Sequence, residues 1–354
     1  MSSAPALSLP TRQLGKDGPQ VTALGIGLMG LSAFYGSTES DETRLKFLDY
    51  VYASGQRFWD TADMYGDNED LLGRWFQTRG KRDEIFLATK FASYTAPDGT
   101  RTIRNEPSYI REACDRSLSR LGTDHIDLYY CHRVDPKQPI ETTVETMAEL
   151  KKAGKISYLG LSEVSAETLR RACKVHHIAA VQIEYSPFTM DIEDPKIGLL
   201  EACRELGVAT VAYSPLGRGF LTGRYRSPDD FEEGDFRRFA PRFSPENFAK
   251  NLELVDAIAQ LAEKKSCTSG QLVLAFLMAQ GADIIPIPGT TKYKNYDENM
   301  ASLKIDVSDE ENREIRKAIE NATVLGGRYP PGFAAMLFAD TAPLEEGKGK
   351  SGNL

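Results

Sequence analysis

An aspartate, a tyrosine, a lysine and a histidine carry the chemistry open to this chain. Asp60 and Tyr65 lie in FWDTADMYG, Lys90 ends IFLATK, and His132 ends IDLYYCH. A phenol is normally too weak an acid to release its proton near neutral pH, but a nearby ammonium stabilises the phenolate left behind. Lys90 can supply that ammonium, Asp60 can hold it by a charge-assisted hydrogen bond, and His132 can orient a substrate oxygen beside Tyr65. Such a set suits a carbonyl oxygen that becomes an alcohol as hydride arrives at carbon. No ordinary side chain supplies hydride, so this chemistry requires a cofactor. Taken singly, each residue also has a plainer use: Asp60 can cap a turn, Tyr65 pack a loop, Lys90 reach solvent, and His132 satisfy a buried backbone group.

The four residues meet only if the chain folds so that strand ends converge. Short apolar runs at Leu24–Leu28, Arg57–Thr61, Glu84–Lys90, His125–His132, Ile156–Ser162, Ala180–Ile183, Val208–Tyr213 and Ile284–Pro288 read as eight strands. Between them, Ser40–Ser54, Leu71–Thr78, Pro107–Leu121, Ile140–Ala153, Ala166–His176, Ile197–Leu206 and Thr268–Ala279 have helical spacing. This alternation implies right-handed crossovers and a parallel sheet, and eight strands can close it into an α/β TIM barrel. Barrels of this kind place chemistry at the C-terminal ends of their strands, where Asp60, Lys90 and His132 fall. An open doubly wound sheet is the rival architecture, but GIGLMG after the first strand is not the GxGxxG fingerprint of that fold.

Arg12–Leu14 and Gln20–Thr22 flank Gly15–Pro19 as a small N-terminal hairpin around Asp17-Gly18, placed to plug one barrel end. Pro215–Pro245, rich in Gly, Pro, Arg and Phe, reads as a long functional loop. Ser308–Asn321 has helical spacing. Residues 11–325 are expected to form a single barrel domain, and residues 326–354 a mainly irregular C-terminal extension that ends in a mobile GKGKSG segment.

A formal net charge of −8 argues against a general polyanion binder, so nucleic acid is not an expected partner. The five cysteines are scattered without metal spacing or a disulfide pattern and read as reduced structural thiols; no metal is expected. Neither a signal peptide nor a membrane-length apolar run is evident, so the expected location is cytoplasmic, away from membranes.

ALGIGLMG, FWDTADMYGDNEDLLG, IFLATK, IDLYYCHRVD, KISYLGLSE, VQIEYSPF, VAYSPLGRGFLTG and IIPIPGTTKYKNYDEN occur in the order and at the intervals of the aldo-keto reductase superfamily, which the chain resembles over Leu14–Asn321. The resemblance implies a catalytic tetrad of Asp60, Tyr65, Lys90 and His132. It also implies NADPH/NADP as cofactor, a small-molecule carbonyl substrate and neither a metal nor a covalent enzyme intermediate. Ser162 and Gln182 match positions that hold the nicotinamide amide, Tyr213 matches the aromatic that stacks on its ring, and Glu163 stands where many relatives have asparagine. Leu216 and Arg218 are placed along the pyrophosphate, Thr290 and Lys292 at the ribose phosphate, and Glu298 and Asn299 at the adenine. Gly289, Thr290 and Asn295 replace the lysine, serine and arginine of many relatives.

Aldehydes are the expected substrates. Met29, Phe34, Tyr35, Trp59, Phe91, Phe188 and Phe220 are candidates for an apolar lining, and no cluster demands a charged substrate. A homo-oligomer is compatible with these motifs. The alternative reading is a redox-sensing interaction subunit of the potassium-channel-associated branch, with bound cofactor and slow turnover.

Overall fold

The computed structural model describes residues 9–344. The GKGKSG segment lies outside them. Eight parallel strands follow one another around a barrel: β1 (Ile26–Gly27), β2 (Phe58–Asp60), β3 (Phe86–Phe91), β4 (Ile126–Cys131), β5 (Ile156–Ser162), β6 (Ala180–Glu184), β7 (Ala209–Tyr213) and β8 (Ile284–Pro286). Each pairs with the next in the chain, and the ring is closed between β8 and β1 by Gly25 N donating to Pro286 O (2.9 Å) and Gly27 N to Pro288 O (3.3 Å). The expected α/β TIM barrel is therefore the fold.

Side-chain alternation along each strand decides what faces the axis. Phe58, Ala88, Leu128, Tyr130, Ala180, Ala209, Val211, Ile285 and Ile287 form one buried cluster inside the barrel. Leu14 and Val21 of the N-terminal hairpin (Thr11–Gln13 with Gln20–Thr22) complete this cluster, so the hairpin does plug one end. Arg12 fixes it there by donating to the carbonyls of Met278 (2.7 Å), Gly281 (2.6 Å) and Ile284 (2.5 Å). Asp60, Lys90, Ser162, Gln182 and Tyr213 have the same parity as the interior residues of their strands, displaced towards the C-terminal ends. At mid-height, a methyl group on Gly160 would lie 2.4 Å from the Tyr130 ring, so this glycine makes room for the tyrosine that floors the site.

Helices α1 (Asp41–Ala53), α2 (Asn68–Arg79), α3 (Pro107–Leu121), α4 (Ile140–Lys152), α5 (Ala166–Val175), α6 (Leu199–Leu206), α7 (Pro245–Lys264) and α8 (Ser269–Ala279) run between strands, followed by α9 (Tyr293–Ala301) and α10 (Asp309–Asn321) after β8. Their starts are written locally: Ser40 caps α1, Pro107 opens α3, and capping boxes Thr268/Gln271 and Ser308/Glu311 open α8 and α10.

Two elements go beyond the sequence-based reading. Helix α7 buries Phe248, Asn251, Leu254, Val255, Ile258 and Ala262, a regular helical stripe, and is a second helix between β7 and β8. A short hairpin, Ser93–Thr95 with Arg101–Ile103, projects after β3 around a Pro-Asp-Gly turn. After α10, the chain returns across the C-terminal rim: Ala339 N donates to Glu163 O (2.9 Å), Ser165 N to Ala339 O (3.1 Å) and Ala342 N to Pro136 O (2.8 Å).

Replacing Gly160 by alanine overpacks the floor and is expected to cost about 1–3 kcal/mol, since the Tyr130 ring is fully buried and has nowhere to go. Urea denaturation measures it. An unchanged midpoint would mean that Tyr130 does not sit against this position.

Candidate active site

The centre of the rim is a buried Lys90–Asp60 pair. Lys90 Nζ lies 2.5 Å from Asp60 Oδ1 and 2.7 Å from the Thr61 carbonyl; Asp60 Oδ2 accepts a third bond from Gln182 Nε2 at 2.7 Å. Neither charged side chain is more than 3% exposed. Burial pulls the Lys90 ammonium below the ordinary lysine range and pushes the Asp60 carboxyl above the carboxylate range, while their contact opposes both shifts. Removing one partner from such a pair strands the other charge in the barrel, which costs on the order of 3–5 kcal/mol.

Tyr65, in the turn between β2 and α2, hangs over this pair. Lys90 Nζ lies 5.1 Å from its ring centroid, and the His132 ring meets it edge-on at 6.0 Å. Burial, with the Asp60 charge next, holds the Tyr65 phenol well above its ordinary value, and the Arg133 cation opposes them. His132 is held well below the ordinary histidine value by burial and then by the cations Arg133 and Lys90, so its imidazole is neutral. Its buried Nδ1 has no partner. A neutral imidazole carries one N–H donor and one acceptor nitrogen, so one ring nitrogen can donate to a ligand oxygen. The four tetrad candidates thus come together.

The remaining candidates divide. Ser162 and Tyr213 end β5 and β7, and Gln182 lies within β6 between them, with Ser162 in register with Gln182 and Glu184 with Tyr213. The amide nitrogen of Gln182 is committed to Asp60, leaving its carbonyl oxygen to read a ligand. Glu163 is tied into the fold by both carboxylate oxygens. Arg328 of the returning segment grips both its carboxylate oxygens (3.0 and 3.2 Å), and the Tyr213 hydroxyl donates to Oε1 at 2.7 Å. The carboxylate that replaces asparagine here has an arginine to match it, and that partner is more than 160 residues away. Glu163 has a positive φ of 52°, a conformation favoured by the asparagine of relatives.

Arg218 departs from expectation. Its side chain donates to Glu184 (3.4 Å) and lies over the rings of Tyr329 (4.5 Å) and Phe236 (5.0 Å); none of these contacts belongs to the Gly289–Asn299 segment. A pyrophosphate contact from SPLGRG is left to backbone groups and Leu216. Glu298 and Leu216 meet around Gly270, and the Glu298 carboxylate accepts from Thr268 at 2.7 Å. Asn299 is buried. Thr290 accepts the backbone N–H of Lys292, which precedes α9, and the exposed Lys292 ammonium pairs with Glu39 at 3.1 Å.

Arg133 was legible only as part of IDLYYCHRVD. It donates to the His132 carbonyl (2.6 Å) and to Ser162 Oγ (3.3 Å), placing a guanidinium between the tetrad and the β5 end. Several lining candidates lie elsewhere. Trp59 and Phe91 have the opposite parity to Asp60 and Lys90, so Trp59 packs on Trp75 and Phe91 on Tyr129 outside the barrel. Phe188 and Phe220 belong to a buried aromatic cluster with Phe243 and Phe248. Phe34 remains at the site, its ring 6.4 Å from that of Tyr65.

The chain belongs to the aldo/keto reductase family, whose family model matches residues 23–320, and it is an enzyme of that class. It is 52% identical over 341 residues to aldo-keto reductase yakc from Schizosaccharomyces pombe, a protein named for NADP(+), covering 96% of this chain and 99% of the relative. Aldo-keto reductase str7 from Strobilurus tenacellus is 54% identical over 327 residues, covering 91% and 95%. Among solved structures, a thermostable aldo-keto reductase complexed with the inhibitor epalrestat superposes with a TM-score of 0.71 at 26% identity, covering 88% of this chain and 100% of that one. The glycerol dehydrogenase of Gluconobacter oxydans gives a TM-score of 0.79 at 24% identity, covering 90% and 97%, and shares the fold.

A buried neutral histidine has a consequence for acid stability. The unfolded chain binds a proton at this residue below its ordinary pKa of 6.5 and the folded chain does not, so its contribution is complete above 6.5 and is lost as pH falls below it. Stability of His132→Gln should therefore fall less than that of the parent on acidification from pH 7 to 5. Asp63, which burial pushes up to about 7, acts with the opposite sign in the same window but is present in both proteins. Parallel slopes in denaturant titrations at the two pH values would show His132 to be protonated in the fold.

Proposed function

We propose that the enzyme uses NADPH to reduce an aldehyde or ketone to the alcohol, with Asp60, Tyr65, Lys90 and His132 as its proton-delivery centre. The observation that carries this reading is the convergence of a neutral histidine and a buried lysine–aspartate pair on one tyrosine, at the C-terminal rim of the barrel. His132 donates a ring N–H to the carbonyl oxygen and fixes it beside Tyr65. Tyr65 delivers the proton as negative charge develops on that oxygen, and the fields of Lys90 and Arg133 stabilise the phenolate that results. Asp60 acts as a positioning residue, holding Lys90 below the ring.

The residues present fit the cofactor in most respects. Ser162 Oγ and the free carbonyl oxygen of Gln182 can hold an amide, and Tyr213, its hydroxyl tethered by Glu163, offers a fixed ring face. Leu216, the backbone of the SPLGRG turn, Thr290, Lys292, Glu298 and Asn299 extend the site over β7 and β8. NADPH held there would supply the hydride for the carbonyl carbon, and Tyr65 gives its proton to the carbonyl oxygen. Aldehydes are favoured over bulky ketones by the returning segment that covers the rim. Residues 11–325 are read as one barrel domain, with the segment beyond them contributing to its site. Among the described residues no helix is long and apolar enough to cross a membrane, in keeping with a cytoplasmic enzyme.

Tyr65→Phe keeps the ring and removes the transferable proton, so carbonyl reduction should fall by roughly 10²–10⁴-fold with NADPH affinity largely retained. Initial rates of NADPH oxidation with an aldehyde, set beside a cofactor titration, measure both. Near-parental turnover would remove Tyr65 from this role. Lys292→Ala should weaken NADPH more than NADH, because the exposed ammonium before α9 can exchange its surface pairing with Glu39 for the extra phosphate, with a gain limited by that competition and by screening. Dissociation constants for both cofactors at one ionic strength provide the comparison; an unchanged ratio would move the phosphate contact to another cation.

A further inference from the structure

The rim beside the tetrad holds more buried guanidinium groups than carboxylates to match them. Glu163 pairs with Arg328, and the single carboxylate of Glu184 faces both Arg218 (3.4 Å) and Arg242 (3.8 Å). Arg133 has only neutral acceptors, the His132 carbonyl and Ser162 Oγ. Three arginines therefore share two carboxylates, and Arg133 touches none. The imbalance is sharpest at Arg218, whose side chain is 5% exposed and whose Nη1 is buried without any partner. A buried guanidinium N–H left unpaired is costly, and more so than a neutral donor. Phenol groups surround it: Arg218 lies over the Tyr329 ring, the Tyr329 hydroxyl is 3.2 Å from that of Tyr213, and the Tyr35 ring lies under Arg237 (5.2 Å), which donates to the Arg218 carbonyl at 2.9 Å. Phe236, whose ring lies under Arg218, donates its backbone N–H to the Phe34 carbonyl (3.3 Å), and the Phe34 ring meets that of Tyr65 at 6.4 Å, which places this group on the Tyr65 side of the rim.

We infer that the carbonyl substrate carries a carboxylate, taken by the free edge of Arg218 and by Arg133 between the hydroxyls of Tyr35 and Tyr329. This rests on the reading of the enzyme as a carbonyl reductase. A planar carboxylate matches a guanidinium edge and can take hydroxyl donors on its remaining lone pairs. It also supplies the negative charge that the cluster lacks. The subsite is distinct from the point where the reacting oxygen meets Tyr65 and His132, so a substrate bridges the two with its carbonyl at one end and its anion at the other.

The test compares 4-carboxybenzaldehyde and 3-carboxybenzaldehyde with their neutral methyl esters, using full-length enzyme and NADPH. At least one acid should show kcat/KM about tenfold or more above its ester. Arg218→Gln should collapse that ratio towards one, and raised ionic strength should increase KM for the favoured acid without a matching change for its ester. If Arg218→Gln does not fold, the acid-to-ester ratio and its salt dependence in the parent decide the matter. Esters reduced as well as or better than both acids would overturn the carboxylate subsite while leaving carbonyl reduction intact. No reduction of acids or esters, or of unsubstituted benzaldehyde, would overturn the reductase reading itself.

Discussion

A lysine and an aspartate meet inside the barrel with almost no access to water, and the site is arranged around that contact. Either charge alone would be too costly to bury, so Lys90 and Asp60 require each other, and they recruit Gln182 and the Thr61 carbonyl to complete their hydrogen bonds. The contact joins β2, β3 and β6, three strands brought together only when the barrel closes. Above it, burial holds Tyr65 as a protonated phenol, with the Asp60 charge adding to the effect, and His132 as a neutral imidazole, with Arg133 and then Lys90 adding to it, a division of roles that suits delivery of one proton to one oxygen.

A second buried pair ties the end of the chain to this centre. Glu163–Arg328 anchors the returning segment to β5, and Tyr213 joins the pair through its hydroxyl. What reads as an irregular tail thus provides Arg328 and Tyr329, which meet the ends of β5 and β7. The same segment brings positive charge to a rim that already holds Arg133 and Arg218. Overall the chain is acidic, with a net charge of −8, so this local excess is opposite in sign to the molecule as a whole.

Strand parity made much of the site legible. Once apolar runs alternating with helices define a parallel barrel, Asp60, Lys90, Ser162, Gln182 and Tyr213 fall on the inward face by counting alone, as does His132 just past its strand. The same count, carried through, would have put Trp59 and Phe91 outside. Long-range charge pairing was not legible in this way. Nothing near Glu163 in the sequence points to Arg328, and Arg218 in a glycine-rich turn looks like a phosphate contact until Glu184 and Tyr329 are placed beside it. Helix α7 was hidden for a different reason: its apolar spacing is regular, but one helix per strand leaves no vacancy for it, and the Pro- and Gly-rich run before it draws attention to loop structure.

The transfer of hydride to a carbonyl carbon, with the proton drawn from the rim, is the claim on which the functional account turns. The most direct measurement uses NADPH deuterated at both C4 positions, an aldehyde in ordinary water and mass spectrometry of the alcohol. One deuterium on the carbinol carbon of every product molecule, with none at the exchangeable hydroxyl, is the expected result. Product alcohol without deuterium on carbon, or oxidation of NADPH that leaves the aldehyde unreduced, would contradict it.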